Sequence, residues 1–374
     1  MKIIASFILL LFFLKSFGQR SDSILRKKID SVVTMYMAAN DVVGISIGIV
    51  KNNKIYYTKG YGTTEINTKT PIDSLTNFHT ASISKLFTAT AILQLVETGK
   101  LDINKHLIDY LPEFKMKDER FKKITIKQML NHTSGLPYFT NYKWDQPDND
   151  RFALKNFVLK SSFDSLQFDL GKNISYSNLA FDILGYLVEK ETNQSFEDYV
   201  YGKILKPSGM VNSSFDYYKI DPIHKSVPHI KNELSGKVTT SKIYPYNREQ
   251  VPCGTLNSCA YDLSKWIIEN LKIYNDSTNS YKGVINHKTL IEMWTPTHNY
   301  NHPLVFLGLG WWKKESKEYG NYFFHCGMDV GYSSSLTIFP EKNFGIVVLC
   351  NGDYPYSIIY NKIPFEVERL INGK

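Results

Sequence analysis

Residues 79–90 read HTASISKLFTAT, a small polar entry that runs straight into an apolar stretch. Carried on as SISKLFTATAILQLVETGK to Lys100, the segment predicts a helix that is apolar on nearly every side and closed by Gly99. A helix of that kind is buried, which makes it the central helix of the molecule. Ser82 and Lys85 sit three positions apart at its start, a spacing that puts both side chains on one face. A hydroxyl and an amine placed together in an apolar setting pose a chemical question that the rest of the chain must answer.

Working outward, SDSILRKKIDSVVTMYMAAN (21–40) carries Ile24, Leu25, Ile29, Val32, Val33 and Tyr36 at the spacing of an amphipathic helix. VGISIGIVK (43–51) and KIYYTKGYG (54–62) are β-branched and aromatic runs joined by Asn52-Asn53, a hairpin signal. Past the central helix, 100–215 read as mostly helical with turns, through ITIKQMLNHTSGLP, SNLAFDILGYLVEKETN and SFEDYVYGKILKPSG. Residues 138–170 show no clear period and predict a long functional surface loop or lid, and 216–250 are irregular. A helix returns at 261–274. Then NYFFHCG, GYSSSLTIFP and FGIVVLCN predict three strands, with a turn at Pro340-Glu341-Lys342-Asn343, before a last helix within 355–372 that starts or kinks at Pro364. The expected fold class is α/β (α+β): an antiparallel sheet built from both chain ends, flanked by helices, holding a mostly helical subdomain at roughly 83–215.

The first residues, MKIIASFILLLFFLKSFGQ, have a positive start, a short apolar run and small residues after it. They predict a cleavable signal peptide over 1–18, leaving one domain over 19–374 in a periplasmic or secreted protein. The apolar run is too short to span a bilayer comfortably, so no stable membrane insertion is expected after cleavage. The formal charge of +8 includes Lys2 and Lys15 and falls to +6 without them. The remaining basic residues are interspersed with acids, as in MKDERFKK, which argues against a nucleic-acid partner. Cys253, Cys259, Cys326 and Cys350 form no C-x-x-C pair, so neither a zinc site nor any other metal is expected, and their pairing is open. No phosphate loop, dinucleotide fingerprint or H-E-x-x-H occurs, so no cofactor is expected either. GYSSS (331–335) is not the G-x-S-x-G elbow, because its fifth residue is Ser335.

A serine needs a neighbouring base. Lys85 serves if burial and the helix dipole push its amine toward the neutral form. Tyr176-Ser177-Asn178 precedes a helix, and on an extended turn Tyr176 and Asn178 face the same way. A phenol relays protons there and an amide holds a carbonyl, although Asn178 also reads as a helix cap. His325-Cys326-Gly327 closes the first late strand, and a strand glycine marks close approach of a backbone or ligand. The pair Trp311-Trp312 reads as pocket lining or, more often for such aromatics, as core. His132 in NHTSG has the look of a triad histidine.

Taken together, S-x-x-K, then Y-S-N, then H-x-G resembles the penicillin-recognising serine hydrolases, in particular the class C β-lactamase and esterase-like branch. The match extends through LVETGKLDINKHLIDYLPEF, ITIKQMLNHTSGLP, YSNLAFDILGYLVEK and GYSSSLTIFPEKNFGIVVLCN. The resemblance implies a β-lactamase/transpeptidase-like fold and an acyl-enzyme on Ser82, with Lys85 and Tyr176 sharing base and acid work. It implies that Asn178, His325 and Gly327 contact substrate, and that the backbone N–H groups of Ser82 and Met328 form the oxyanion hole. For the NHTSG loop of His132 it implies a structural turn instead of a triad. Where β-lactamases carry lysine in the third motif, this chain carries His325, as esterase and D-aminopeptidase members do. Free histidine loses most of its charge above about pH 6.5, so a substrate carboxylate is expected to bind better in acid. The implied partner is a small ester, amide or peptide. A peptidoglycan carboxypeptidase or D-aminopeptidase and a non-hydrolytic penicillin-binding or sensor module stand as alternatives, and the oligomeric state is silent.

Overall fold

The computed structural model describes residues 22–139, 141–160, 164–300 and 303–373. The expected signal segment, 1–18, lies outside the described residues. The chain opens with helix α1 (22–39) and the hairpin β1 (Gly44–Lys51) and β2 (Lys54–Gly62). Asn52 and Asn53 take φ values of 52° and 57°. Two successive left-handed residues make the tight primed turn that Asn tolerates best and that matches strand twist.

The end of the chain completes the same sheet. Strands β3 (His298–Asn299), β4 (Val305–Leu307), β5 (Trp312–Lys314), β6 (Tyr322–Asp329), β7 (Tyr332–Phe339) and β8 (Phe344–Cys350) give an eight-stranded order β2-β1-β8-β7-β6-β5-β4-β3. Every pairing is antiparallel. The first and last strands meet in the middle, with Ile47 opposite Val348. The three late strands fall where the sequence places them. The short edge strands β3 to β5 escape sequence reading because two or three residues carry no period.

Alternation along β8 divides the core. Val347 and Leu349 join the cluster containing Leu263, Trp266 and Ile267 of the helix Ala260–Asn275. Ile346 and Val348 point the other way, to Ile29 and Val33 of α1 and to Ile363 and Val367 of the final helix, Ile363–Asn372. Successive strand residues face opposite sides, so a sheet covered on both faces is apolar at every position. That final helix carries Pro364 in its first turn.

The central helix α2 is Ser84–Glu97, preceded by a 3₁₀ turn, Ala81–Ile83. Ser82 therefore stands on the turn and not on the α-helix itself. Leu86, Phe87, Ile92 and Leu93 of α2 have no exposed surface, and burying each contributes about 1.5–3 kcal/mol. Gly99, at φ 72°, ends the helix in the left-handed conformation that only glycine adopts without cost.

The 138–170 stretch corrects its reading as a pure loop. It contains helix α3 (Ala153–Lys160), which buries Leu154, Phe157 and Val158 at helical spacing. Aromatic and polar flanks hide that short period in the sequence. Helix α4 (Asn178–Thr192) and the single turn α5 (Val251–Gly254) complete the frame of the site. Among the described residues, no helix is long and apolar enough to cross a membrane.

Candidate active site

The turn that carries Ser82 is fastened from several sides. Ala81 has φ 48°, a strained value for a residue with a side chain. The Thr80 N–H and hydroxyl both donate to Leu256 O, at 2.8 and 2.9 Å. Ser334 Oγ donates to Thr80 O at 2.7 Å. Ser84 Oγ donates to Ala81 O at 2.6 Å and accepts the Leu256 N–H at 2.9 Å. These bonds offset the strain and leave Ser82 partly exposed among buried neighbours.

Lys85 is fully buried in the first turn of α2. Its Nζ donates to Ser82 Oγ at 3.1 Å and to the carbonyl of Cys253 at 2.6 Å. The Tyr176 phenol faces both groups: burial raises its pKa, and Lys85 and Ser82 each draw it down against that effect. Lys85 Nζ also lies 5.0 Å from the centre of the Tyr176 ring. Lys85, Tyr176 and Cys253, from three separate segments of the chain, thus meet beside the Ser82 hydroxyl.

The charge state of Lys85 corrects the sequence expectation. Burial disfavours its ammonium, but Tyr176, Cys253 and Asp182 outweigh that and hold its pKa above the ordinary lysine value. Sequence reasoning accounted for burial and the helix dipole but not for these neighbours. Burial likewise raises the Tyr176 phenol, against the pull of Lys85. The pair titrates as a unit and is fully protonated at rest.

Tyr176 is held by stacking on His132, with ring centres 4.4 Å apart, and His132 lies 5.2 Å from Phe181. His132 Nδ1 accepts the Ser177 N–H at 3.0 Å. Burial pushes His132 well below its usual pKa, followed by the charge of Lys85. It is a neutral support for the phenol, as its structural reading predicts. The helix cap is Ser177, whose Oγ accepts the Ala180 N–H at 3.1 Å. Asn178 is therefore not the cap. Its Nδ2 donates to the Tyr142 hydroxyl, and its Oδ1 is buried without a partner.

His325, Gly327 and Met328 lie on β6. A Cβ on Gly327 would sit 2.2 Å from Thr80 O and 2.9 Å from the Ala81 side chain. Only glycine lets the strand come this close to the turn that carries Ser82. His79 and Asp329 bracket the same junction, joined at 2.8 Å. His325 is 2% exposed, its Nδ1 paired with Cys326 O at 2.8 Å and its Nε2 without a partner. Burial, then the Lys85 charge, pushes its pKa down to about 3. The imidazole is neutral from pH 5 to 8, so the expected gain in carboxylate binding at acid pH is overturned.

Sequence reasoning missed Tyr142, Cys253 and Asp182 as parts of the site. Tyr142 stacks on Trp144 with ring centres 4.8 Å apart, inside the aperiodic segment, where no local pattern announces it. Cys253 acts through a backbone carbonyl, which has no side-chain signature. An acid at Asp182 within the apolar run SNLAFDILGYLV was a readable signal. Trp311 is core, packed against Trp294 at 5.7 Å. All four cysteines are free. No group of residues suited to a metal ion occurs among the described residues.

An antiparallel sheet of this order, with a serine-lysine turn facing a tyrosine and a glycine strand, defines the β-lactamase-type serine hydrolases. The family model described as Beta-lactamase matches residues 29–361, and the chain belongs to that family. Protein flp of Staphylococcus aureus (strain MRSA252) is 29% identical over 348 residues, covering 92% of this chain and 65% of the relative. Penicillin-binding protein 4* of Bacillus subtilis (strain 168) is 25% identical over 315 residues, covering 80% of this chain and 66% of the relative. The chain thus spans just under two thirds of the length of these curated relatives. Among solved structures, the octameric penicillin-binding protein homologue from Pyrococcus abyssi is similar with a TM-score of 0.77 at 25% identity, over 93% of this chain and 77% of that one. The β-lactamase/D-alanine carboxypeptidase from Pseudomonas syringae has a TM-score of 0.75 at 18% identity, over 94% and 99%, a likeness of fold.

Proposed function

We propose that the chain is an exported serine hydrolase that cleaves an ester or small amide through an acyl-enzyme on Ser82. The observation that carries this reading is the 3.1 Å contact between Lys85 Nζ and Ser82 Oγ, with the Tyr176 ring centre 5.0 Å from the same Nζ. The Lys85–Tyr176 pair gives up one proton and then takes the proton of Ser82 as Oγ bonds to the substrate carbonyl carbon. The backbone N–H groups of Ser82 and Met328 receive the oxyanion, a contribution of a few kcal/mol to the transition state. The tetrahedral intermediate collapses, the leaving oxygen or nitrogen takes a proton from the pair, and the acyl group remains on Ser82. Water then gives one proton to the pair as it attacks the ester carbonyl carbon. The second tetrahedral intermediate collapses, its bond to Oγ breaks, Ser82 takes that proton back and the acid is released. Because the pair is fully protonated at rest, acylation accelerates as pH rises.

A neutral His325 offers no fixed charge to a substrate carboxylate, which favours esters and uncharged amides over β-lactams. Asn178, with one amide edge on Tyr142, faces the acyl side of the substrate. Export rests on the 1–18 segment and is read from the mass of the mature N-terminus. The test of the chemistry is intact-mass analysis after exposure to a β-lactam, an activated ester and a D-amino-acid amide, with steady-state release of p-nitrophenol. Turnover that vanishes in Ser82→Ala is the expected result. A burst without turnover would instead favour the penicillin-binding or sensor alternative, and no labelling at all would refute acyl transfer.

A further inference from the structure

A carboxyl group stands in the middle of an apolar helix. Asn178 to Val188 of α4 are all buried, and Asp182 has no exposed surface. Burying an ionisable group costs several kcal/mol unless partners compensate, and packing alone gives no account of an acid here. No step of the proposed reaction uses it directly.

Its contacts lead to the nucleophile in two steps. Asp182 Oδ1 accepts the backbone N–H of Cys253 at 3.2 Å. The carbonyl of that same residue accepts Lys85 Nζ at 2.6 Å, and Lys85 Nζ reaches Ser82 Oγ at 3.1 Å. Cys253 belongs to a single helical turn, Val251–Gly254, too short to hold its own peptides rigid. The turn is fastened to the core elsewhere by Thr88 Oγ1, which donates to Pro252 O at 2.6 Å. Asp182 Oδ2 has no hydrogen-bond partner, so the carboxyl is incompletely satisfied where it lies. An acid spent only on packing would be replaced at no loss by an apolar residue of similar size.

Resting on the reading of Ser82 and Lys85 above, we infer that Asp182 is a positioning residue: it grips the Cys253 peptide so that its carbonyl pins Lys85 Nζ beside the Ser82 hydroxyl. The charges around the array agree with this. Burial pushes Asp182 well above the usual carboxylate range, with Cys253 and Lys85 drawing it back and Glu249 pushing it further up. When ionised it is a charge that helps to hold the Lys85 ammonium. His132 and His325 face Lys85 as neutral imidazoles, and Asp329 faces Cys253. Asp182 therefore acts on Lys85 by position, through the peptide, and by charge.

The test is the pH profile of Ser82 acylation by p-nitrophenyl acetate, followed by intact mass in the full chain. Asp182→Asn removes the charge and leaves an acceptor for the Cys253 N–H, so its midpoint moves to lower pH, by about half a unit to one unit. Asp182→Ala also removes the acceptor and acylates about tenfold or more slowly than Asp182→Asn, both corrected for folded fraction by circular dichroism. A purely structural role would lower the melting temperature and leave the midpoint in place. An unmoved Asp182→Asn midpoint would overturn the inference even if Asp182→Ala failed to fold. Equal rates for two folded variants would do the same. Failure of the unaltered chain to label at Ser82 would strike the functional reading itself, an outcome distinct from a labelled enzyme with an unmoved profile.

Discussion

The molecule assembles the same three residue types twice. At the outer face of the hairpin, Asp30 accepts from Tyr57 at 2.6 Å, Tyr61 at 2.8 Å and Lys59 at 2.9 Å. At the central helix, Lys85, Tyr176 and Asp182 surround Ser82. In the first cluster Lys59 and Asp30 keep 43% and 30% of their side chains exposed. Burial is the largest single influence on the Asp30 carboxyl and raises it, but its three donors together outweigh burial and the pKa is lowered. In the second cluster burial dominates, the carboxyl is raised and one oxygen lacks a partner. Identical chemistry is quiet when hydrated and fully bonded, and poised when dry and short of partners.

Exchanging lysine for methionine in each cluster exposes the contrast most sharply. Lys85→Met should slow acylation by about 10²- to 10⁴-fold and also lower folding stability, because the Cys253 carbonyl loses its donor and the groups that hold the ammonium lose their partner. Lys59→Met should leave acylation untouched and cost about 1 kcal/mol or less. Single-turnover labelling and urea unfolding of both variants read this directly, and equal kinetic effects would erase the distinction.

Acid unfolding separates the clusters by pH window. Buried His132 and His325 have folded pKa values below that of the unfolded chain, so their contribution is complete above about pH 6.5 and is lost as pH falls toward the folded values. For His325 that window runs down to about 3. His325→Gln should therefore lose less stability than the unaltered chain between pH 7 and pH 4, by roughly 3 kcal/mol at most. Parallel losses in urea titrations at the two pH values would mean the imidazole is not held neutral.

The smallest effect belongs to the hydrated cluster. A depressed carboxylate contributes stability above its unfolded pKa of 3.8 and loses it as pH falls through the folded value. Asp30→Asn should cost about 1 kcal/mol or less at pH 7, flatten the acid limb only below about pH 4, and leave acylation at Ser82 unchanged. A marked change in acylation would couple two regions that the comparison treats as separate.

Much of this arrangement was legible from local chemistry. The alternation in β8, the Asn52-Asn53 turn and the all-round apolarity of α2 each follow from one short segment, so the sequence exposes them. Ser82, Lys85 and Tyr176 were found because they are side chains at fixed short spacings within distinct motifs. What escaped depends on the third dimension. The Lys85 ammonium is set by Cys253 and Asp182, remote in sequence, and His325 loses its charge to a burial that a strand residue does not announce. Tyr142 joins the site only because a segment without a period folds back onto Asn178.

The central pairing of β1 with β8 also governs when the chemistry can begin. A growing polypeptide leaves the ribosome with its nucleophile turn made early, but the strand bearing Gly327 and Met328, and the last strand that seats it between the two ends, are translated near the finish. Until then the turn that carries Ser82 stands without its facing strand and the sheet lacks its middle. The nascent chain is thereby inert toward acyl compounds, and a truncation that removes β8 should yield a product that neither folds nor labels.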